Sequence, residues 1–177
     1  GNTTVPIFMN FPGGYHDGIN GTLAAWGGEN KALGELVERI RRYQPDVIVS
    51  HDINGEYGHP SHKTTAYMVE KAVKLAADKT KYKSSYKKYG TWQVKKLYLH
   101  LYQKNKIKMN WKKSYPGLDG KTPLQSATVA FDKHISQHER WSMTAKAVTD
   151  CPSNEYGLVY STVGKDKKKN DFFENVD

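Results

Sequence analysis

The stretch Pro45-Asp-Val-Ile-Val-Ser-His-Asp-Ile-Asn-Gly-Glu-Tyr-Gly-His-Pro-Ser-His62 joins an apolar run to a histidine-rich turn. Val47 to Ser50 is the short, β-branched kind of run that a buried parallel strand uses. Helical spacing takes over after the turn and continues from Thr64 to Ala77. His59 and His62 therefore fall at a strand-to-helix junction. In open α/β sheets that junction is the rim beyond the carboxyl ends of the strands, where ligands bind. Gly55 and Gly58 permit a tight loop, and Pro60 suits the first turn of the helix that follows.

Upstream, Leu33, Leu36, Val37 and Ile40 recur at helical intervals among charged residues, predicting an amphipathic helix from Gly28 to Tyr43 that ends before Pro45. Thr4 to Met9 reads as a short strand, with Pro6 implying an edge position or the strand's first residue. Residues 10–27 read as a long turn-rich loop beside the rim, and Asp17 is its candidate functional residue. Downstream, the pattern predicts a helix from Pro60 to Asp78 and a solvated loop over 79–90. Strands follow over Gln93–Tyr102 and Lys106–Lys113, then a helix over Leu124–Thr149 and a last strand over Tyr156–Val163. This order favours a single α/β domain over residues 1–177: a three-layer, Rossmann-like fold with a mostly parallel sheet flanked by helices.

Composition narrows the chemistry. The chain of 177 residues is long enough for one core, and its 37% hydrophobic and 12% aromatic content excludes a disordered chain. A single cysteine, Cys151, excludes an internal disulfide framework and a cysteine-based zinc knuckle, leaving histidines and carboxylates to hold any metal. The net charge of +9 comes mostly from lysines between Lys63 and Lys113 and between Lys165 and Lys169. Lysine far outnumbers arginine and no nucleic-acid module is visible, so the charge reads as solvated surface rather than a specific nucleic-acid site. No apolar run approaches the roughly 20 residues that span a bilayer, and the start is neither an initiator Met nor a signal peptide. The reading therefore assigns no transmembrane segment and no compartment, and it treats the amino terminus as cut.

A His-x-x-His pair at a loop-to-helix junction can supply metal ligands, or it can be two loop histidines engaged in ordinary hydrogen bonds. The crowding of His51, Asp52, Asn54, Glu56 and Tyr57 at the end of a buried strand favours the first reading. The other residues have ordinary alternatives. His51 can bond its own loop, Asp52 and Glu56 can be solvated carboxylates, and His134 can be a satisfied helix histidine.

The run Gln44 to His62 resembles the second signature of the PIG-L (LmbE-like) family of zinc-dependent N-acetylglucosaminyl deacetylases. That signature opens on Pro-Asp, carries a histidine at the end of an apolar strand and closes on His-Pro-Asp-His; Ser61 replaces the aspartate here. Phe8 to Gly18 looks like the family's aspartate-bearing loop, Lys96 to Tyr98 like its later strand, and Ala130 to Gln137 like its late helix. The resemblance implies that His62 is a zinc ligand, with another divalent metal as an alternative, and that His59 stabilises the oxyanion or acts as an acid toward the tetrahedral intermediate. It implies a mobile active-site role for Tyr57, substrate binding for Asp17 and a supporting position near the site for His134, while His51, at the end of the central strand, could orient His59 or a ligand.

The family's first signature, a His-Pro-Asp-Asp-Glu-like turn with the remaining ligands and the general base, is absent from these residues. The expectation is a fold incomplete at its amino terminus, whose missing segment precedes it or partners it as a separate fragment. Alone, the chain would then hold zinc weakly. The expected function is removal of an acetyl group from an N-acetylglucosamine-type small molecule or glycan. The rival is a catalytically inactive carbohydrate-binding member of the same fold.

Overall fold

The computed structural model describes residues 6–133, 135 and 154–176. The chain divides into two compact units, one of Phe8–Ile107 with Tyr156–Asp177 and a second of Gly1–Ile7 with Lys108–Glu155. The helices of the first unit are α1 (Gly18–Ala25), α2 (Glu29–Tyr43), α3 (Pro60–Ala77) and α4 (Lys83–Tyr89). The strands are β1 (Val47–Ser50), β2 (Lys96–His100), β3 (Lys106–Lys108) and β4 (Glu155–Ser161), in the sheet order β1-β2-β4-β3. The second unit holds α5 (Pro123–Phe131), opened by a capping box in which Thr122 Oγ1 accepts the Gln125 N–H and Gln125 Oε1 accepts the Thr122 N–H.

The architecture is α/β, a four-stranded mixed sheet flanked by helices. β1 and β2 run parallel, whereas β2 and β4 run antiparallel. The expectation of a mostly parallel sheet gives way to this mixed one, because the last strand returns against β2. The core lies where the predicted apolar face of α2 meets α3: Leu33, Val37 and Ile40 are buried together with Val69, Ala72 and Val73.

Three further expectations change. Residues 6–9 of the expected first strand form no strand. The expected loop over 10–27 contains α1, whose Leu23 joins the core and whose Thr22 Oγ1 donates to the Gly18 carbonyl; burial against α3 stabilises a helix too short to stand by propensity. The strand expected to reach Lys113 stops at Lys108, because Asn110 Oδ1 accepts the Lys112 N–H in a local turn. Of the helix expected over 124–149, α5 forms the beginning. His134 lies outside the described residues.

Arg41 explains why the expected solvated loop over 79–90 carries α4. Its side chain is fully enclosed on α2. Nε donates to the Ala76 carbonyl at 3.1 Å, and Nη2 donates to the carbonyls of Leu75 and Asp78 at 3.1 and 2.8 Å. Nη1 reaches the Lys81 and Tyr82 carbonyls and Ser85 Oγ. A helix end leaves its last carbonyls unpaired and partly negative, and the five fixed donors of a guanidinium suit that end. One side chain thus caps α3 and anchors the start of α4.

Register sets the rim. Ser50 of β1 pairs beside Leu99 of β2 in the parallel ladder, so His51 and His100 leave adjacent strands at the same end. β4 adds Tyr156 opposite His100. Lower in β2, the enclosed Lys96 pairs with Asp166, whose other oxygen accepts the Tyr98 hydroxyl at 2.7 Å, tying the segment after β4 to the sheet.

Replacing Arg41 should expose how much the helix end depends on it. Arg41→Ala is expected to lower the unfolding free energy by about 3–5 kcal/mol, since several buried carbonyls lose their donors at once. Arg41→Lys should recover a minor part, because an ammonium cannot span the same acceptors. Urea titration of the three proteins measures both effects.

Candidate functional site

The turn between β1 and α3 is shaped by backbone conformations that its glycines permit. Gly55 has φ +71°, and a Cβ there would lie 2.6 Å from the His59 carbonyl oxygen, so only glycine lets the loop close on itself. The closed loop forms one 3₁₀ turn, Glu56–Gly58, in which Tyr57 sits in the left-handed region at φ 59°. Its ring is 75% exposed at the tip of the loop. A left-handed tyrosine persists only where its surroundings hold it, and such strain clusters at functional loops.

The turn points Glu56 inward. Its Oε1 accepts the Asp52 N–H at 3.0 Å and meets His100 Nδ1 at 2.9 Å. Its Oε2 meets His51 Nδ1 at 2.8 Å and lies 2.9 Å from His62 Nδ1. Burial pushes the Glu56 carboxyl up, but the N–H groups of Asp52 and Glu56, the His100 ring and the charge of His51 outweigh it and hold the pKa at about 2. An ionised carboxylate only accepts, so the His51 and His100 nitrogens that face it carry protons and donate.

His62 differs from the other two. Although 2.9 Å from Oε2, its Nδ1 lacks hydrogen-bond alignment and is buried without a hydrogen-bond partner, as is His100 Nε2. Burial first, and the neighbouring His51 second, lower the pKa of His62, with Glu56 acting the other way. The His51 and His62 rings stack at 4.4 Å with an interplanar angle of 12°. His51, Glu56 and His62 each offer a donor atom, and all three atoms lie within 4.8 Å of one another. Two imidazoles and a carboxylate are the donor types that bind zinc and similar divalent ions, and an orphaned buried nitrogen among them fits such an ion.

His59 occupies the cap of α3. Its Nδ1 accepts the Ser61 N–H at 3.2 Å, which leaves the proton of the neutral ring on Nε2 as a donor. The ring stacks on His62 at 4.7 Å and meets the edge of Tyr15 at 5.3 Å. Tyr15 belongs to a cleft of about 430 Å³ that Asp17, His16, Gly58, Pro60 and Lys63 also line. Asp17 precedes α1 as an exposed residue whose side chain makes no cap hydrogen bond. A second cavity of about 480 Å³ is lined by His51, Glu56 and His100 with Ile48, Val69 and Tyr156 among its walls.

The junction from β1 into α3 thus gathers His51, Tyr57, His59 and His62, with Asp17 in an adjoining cleft, while His134 lies outside the described residues. Sequence reasoning weighed Glu56 as a supporting group but favoured a solvated carboxylate, and it passed over His100. The signal for His100 was its place at the end of a strand parallel to β1. Glu56 gave no such signal, because only the closed turn aims it inward.

Histidines and a carboxylate thus gather at the sheet rim, with the His59 Nε2–H free to donate. No family model matches the chain. It is similar to the mycothiol S-conjugate amidase of Streptomyces coelicolor, 46% identical over 70 residues, 39% of this chain and 23% of the relative. It is also similar to the 1D-myo-inositol 2-acetamido-2-deoxy-alpha-D-glucopyranoside deacetylases of Geodermatophilus obscurus, 35% identical over 99 residues (51% and 33%), and Segniliparus rotundus, 45% over 60 residues (33% and 17%). The chain spans between about a sixth and a third of the length of these curated relatives. Their names carry an amidase and deacetylases, the activity class that the PIG-L resemblance implies. No helix among the described residues is long and apolar enough to cross a membrane.

The Glu56 carboxyl provides a pH test in the metal-free chain. Its pKa is depressed from 4.5 to about 2, so its stabilising contribution is complete above pH 4.5 and is lost as pH falls through about 2. Carbon-detected NMR titration should place its midpoint near 2. Glu56→Gln should flatten the fall in stability over that interval, and a midpoint near 4.5 would remove the carboxylate from the centre of the histidines.

Proposed function

We propose that the chain carries the His-Pro-Ser-His half of a metal-dependent hydrolase that removes the acetyl group from an N-acetylglucosamine-type sugar or glycoconjugate. The observation that carries this reading is the His59–His62 pair: one imidazole committed as an Nε2–H donor, stacked against a second beside a cluster of metal-type donors. The similarity to an amidase and to deacetylases of an acetamido-sugar supports the substrate class.

His62 is the imidazole assigned to a zinc ion, or to a similar divalent ion. When bound, the ion supplies Lewis-acid polarisation of the acetyl carbonyl and activation of water. His59 donates from Nε2 to the oxygen of the carbonyl as negative charge develops there, and a donor fixed before the reaction stabilises the transition state more than the ground state. Tyr57, exposed at the loop tip, closes over the acetyl end of a bound substrate. Asp17 accepts from sugar hydroxyls in the cleft it shares with Gly58 and Lys63. His51 holds the metal region in shape, and His134 is kept in the supporting role that the resemblance assigns it. The general base is assigned to a segment preceding these residues, contiguous with them or supplied as a separate fragment.

The second reading, a catalytically inactive carbohydrate-binding member of the same fold, is favoured by one observation: the Glu56 carboxylate engages the histidines by itself. Acetate release from N-acetylglucosamine derivatives, assayed on the chain joined to its upstream segment, separates the two. His59→Ala is expected to lower kcat by about 100- to 1,000-fold with bound metal unchanged, the loss typical of one oxyanion donor. Binding of the sugars without acetate release would instead establish the inactive reading.

A further inference from the structure

We propose that the first unit binds a small organic phosphate, of the size of a sugar phosphate, in a cavity beside β4 that is separate from the histidine rim. The cavity has a volume of about 680 Å³, within the range of pockets that enclose a small molecule. Lys104, Lys165 and Lys169 line it, and Tyr102, Leu158 and Tyr160 add apolar wall. None of its lining residues belongs to the two cavities at the rim. The inference does not rest on the hydrolase reading.

Backbone conformation opens the cavity. β3 lies beside β4, and the Asn105 carbonyl accepts the Leu158 N–H at 3.4 Å. Asn105 itself has φ 45°, a left-handed conformation that turns the residues before it off the line of β3. The flank of β4 from Val159 to Ser161 is therefore left to the cavity. Gly157 admits the turned-off chain, since a Cβ there would fall 2.2 Å from the Tyr102 carbonyl oxygen.

Two fixed loops bring their cations to this place. Asn105, with its amide oriented by its partners, donates from Nδ2 to the Asp166 carbonyl at 3.3 Å and accepts the Asp166 N–H at 3.1 Å. Lys104 and Lys165 immediately precede those two residues, so the bonds hold two like charges in neighbouring positions. The loop that carries Lys165 and Lys169 is pinned further. Asp166 is buried against Lys96 and Tyr98, and the Glu174 carboxylate accepts the N–H groups of Lys167, Lys168 and Lys169. Both acids are thereby engaged, and among the described residues no ion pair joins the ammonium groups of Lys104, Lys165 or Lys169 to a carboxylate. An anion offsets the repulsion among such cations, and a scaffold already fixed loses little freedom on binding it. Three ammonium groups match the charge of about −1.5 to −2 on a phosphate monoester better than the single charge of a carboxylate. The apolar wall calls for a body attached to that phosphate, and the two tyrosines suit the C–H face of a sugar ring.

Isothermal titration of glucose 6-phosphate into the chain of 177 residues tests the assignment. One molecule per chain is expected, with an affinity that falls as sodium chloride is added. Lys104→Ala, Lys165→Ala and Lys169→Ala should each weaken binding about 10-fold, the size of one charge-assisted hydrogen bond. Lys167→Ala removes the same charge from the same loop outside the cavity, and it should change the affinity by less than about twofold. All four side chains are exposed, so the variants keep the fold, which melting curves verify. Inorganic phosphate, which has no body to meet the apolar wall, and glucuronate, which has a single charge, should each bind about 10-fold more weakly than glucose 6-phosphate. The absence of saturable binding, affinity unchanged in all three cavity variants, or a loss in Lys167→Ala as large as that in Lys104→Ala overturns the site. Inorganic phosphate or glucuronate bound as tightly as glucose 6-phosphate overturns the organic phosphate as its ligand.

Discussion

Glu56 sits where three imidazoles converge, and the shape of the rim depends on its charge. An ionised carboxylate that is partly buried must be surrounded by donors, or it takes up a proton instead. Here the donors are the Asp52 N–H, His51 and His100, with His62 close beside them. They come from the end of β1, the end of β2 and the start of α3, so the carboxylate ties these three places into one assembly. The cost of burying its charge is met only when all of them are in place.

That assembly needs the scaffold beneath it. The parallel pairing of β1 with β2 brings His51 and His100 out side by side, and an antiparallel pairing would send them to opposite ends. Gly55 lets the turn close, and the cap at His59 starts α3 so that His62 falls one turn along, stacked on His59 and His51. At the far end of α3, Arg41 collects the last carbonyls and carries the chain into α4. The helix that presents the histidines is thus fixed at both ends by side chains.

Much of this was legible in the sequence. The β-branched run before His51, the period of Leu33, Val37 and Ile40, and the glycine-rich turn gave the central strand, its flanking helices and the rim location of the histidines. α1 and α4 escaped notice because their helical state comes from tertiary burial and from the reach of Arg41, neither of which leaves a local pattern. The mixed sheet escaped because the direction of a returning strand depends on the path between strands, not on their composition. In the site, His59 and His62 were legible from spacing and from family likeness. Glu56 was not, since a carboxylate in a polar loop reads as solvated until the turn closes and aims it at the histidines.

The rim holds together because the ionised Glu56 carboxylate gathers the imidazoles around it. A metal-free crystal of the chain addresses this most directly. Glu56 Oε1 is expected within hydrogen-bond distance of the Asp52 N–H and His100 Nδ1, and Oε2 within that distance of His51 Nδ1. A Glu56 side chain turned out to solvent, with the imidazoles apart, would contradict it.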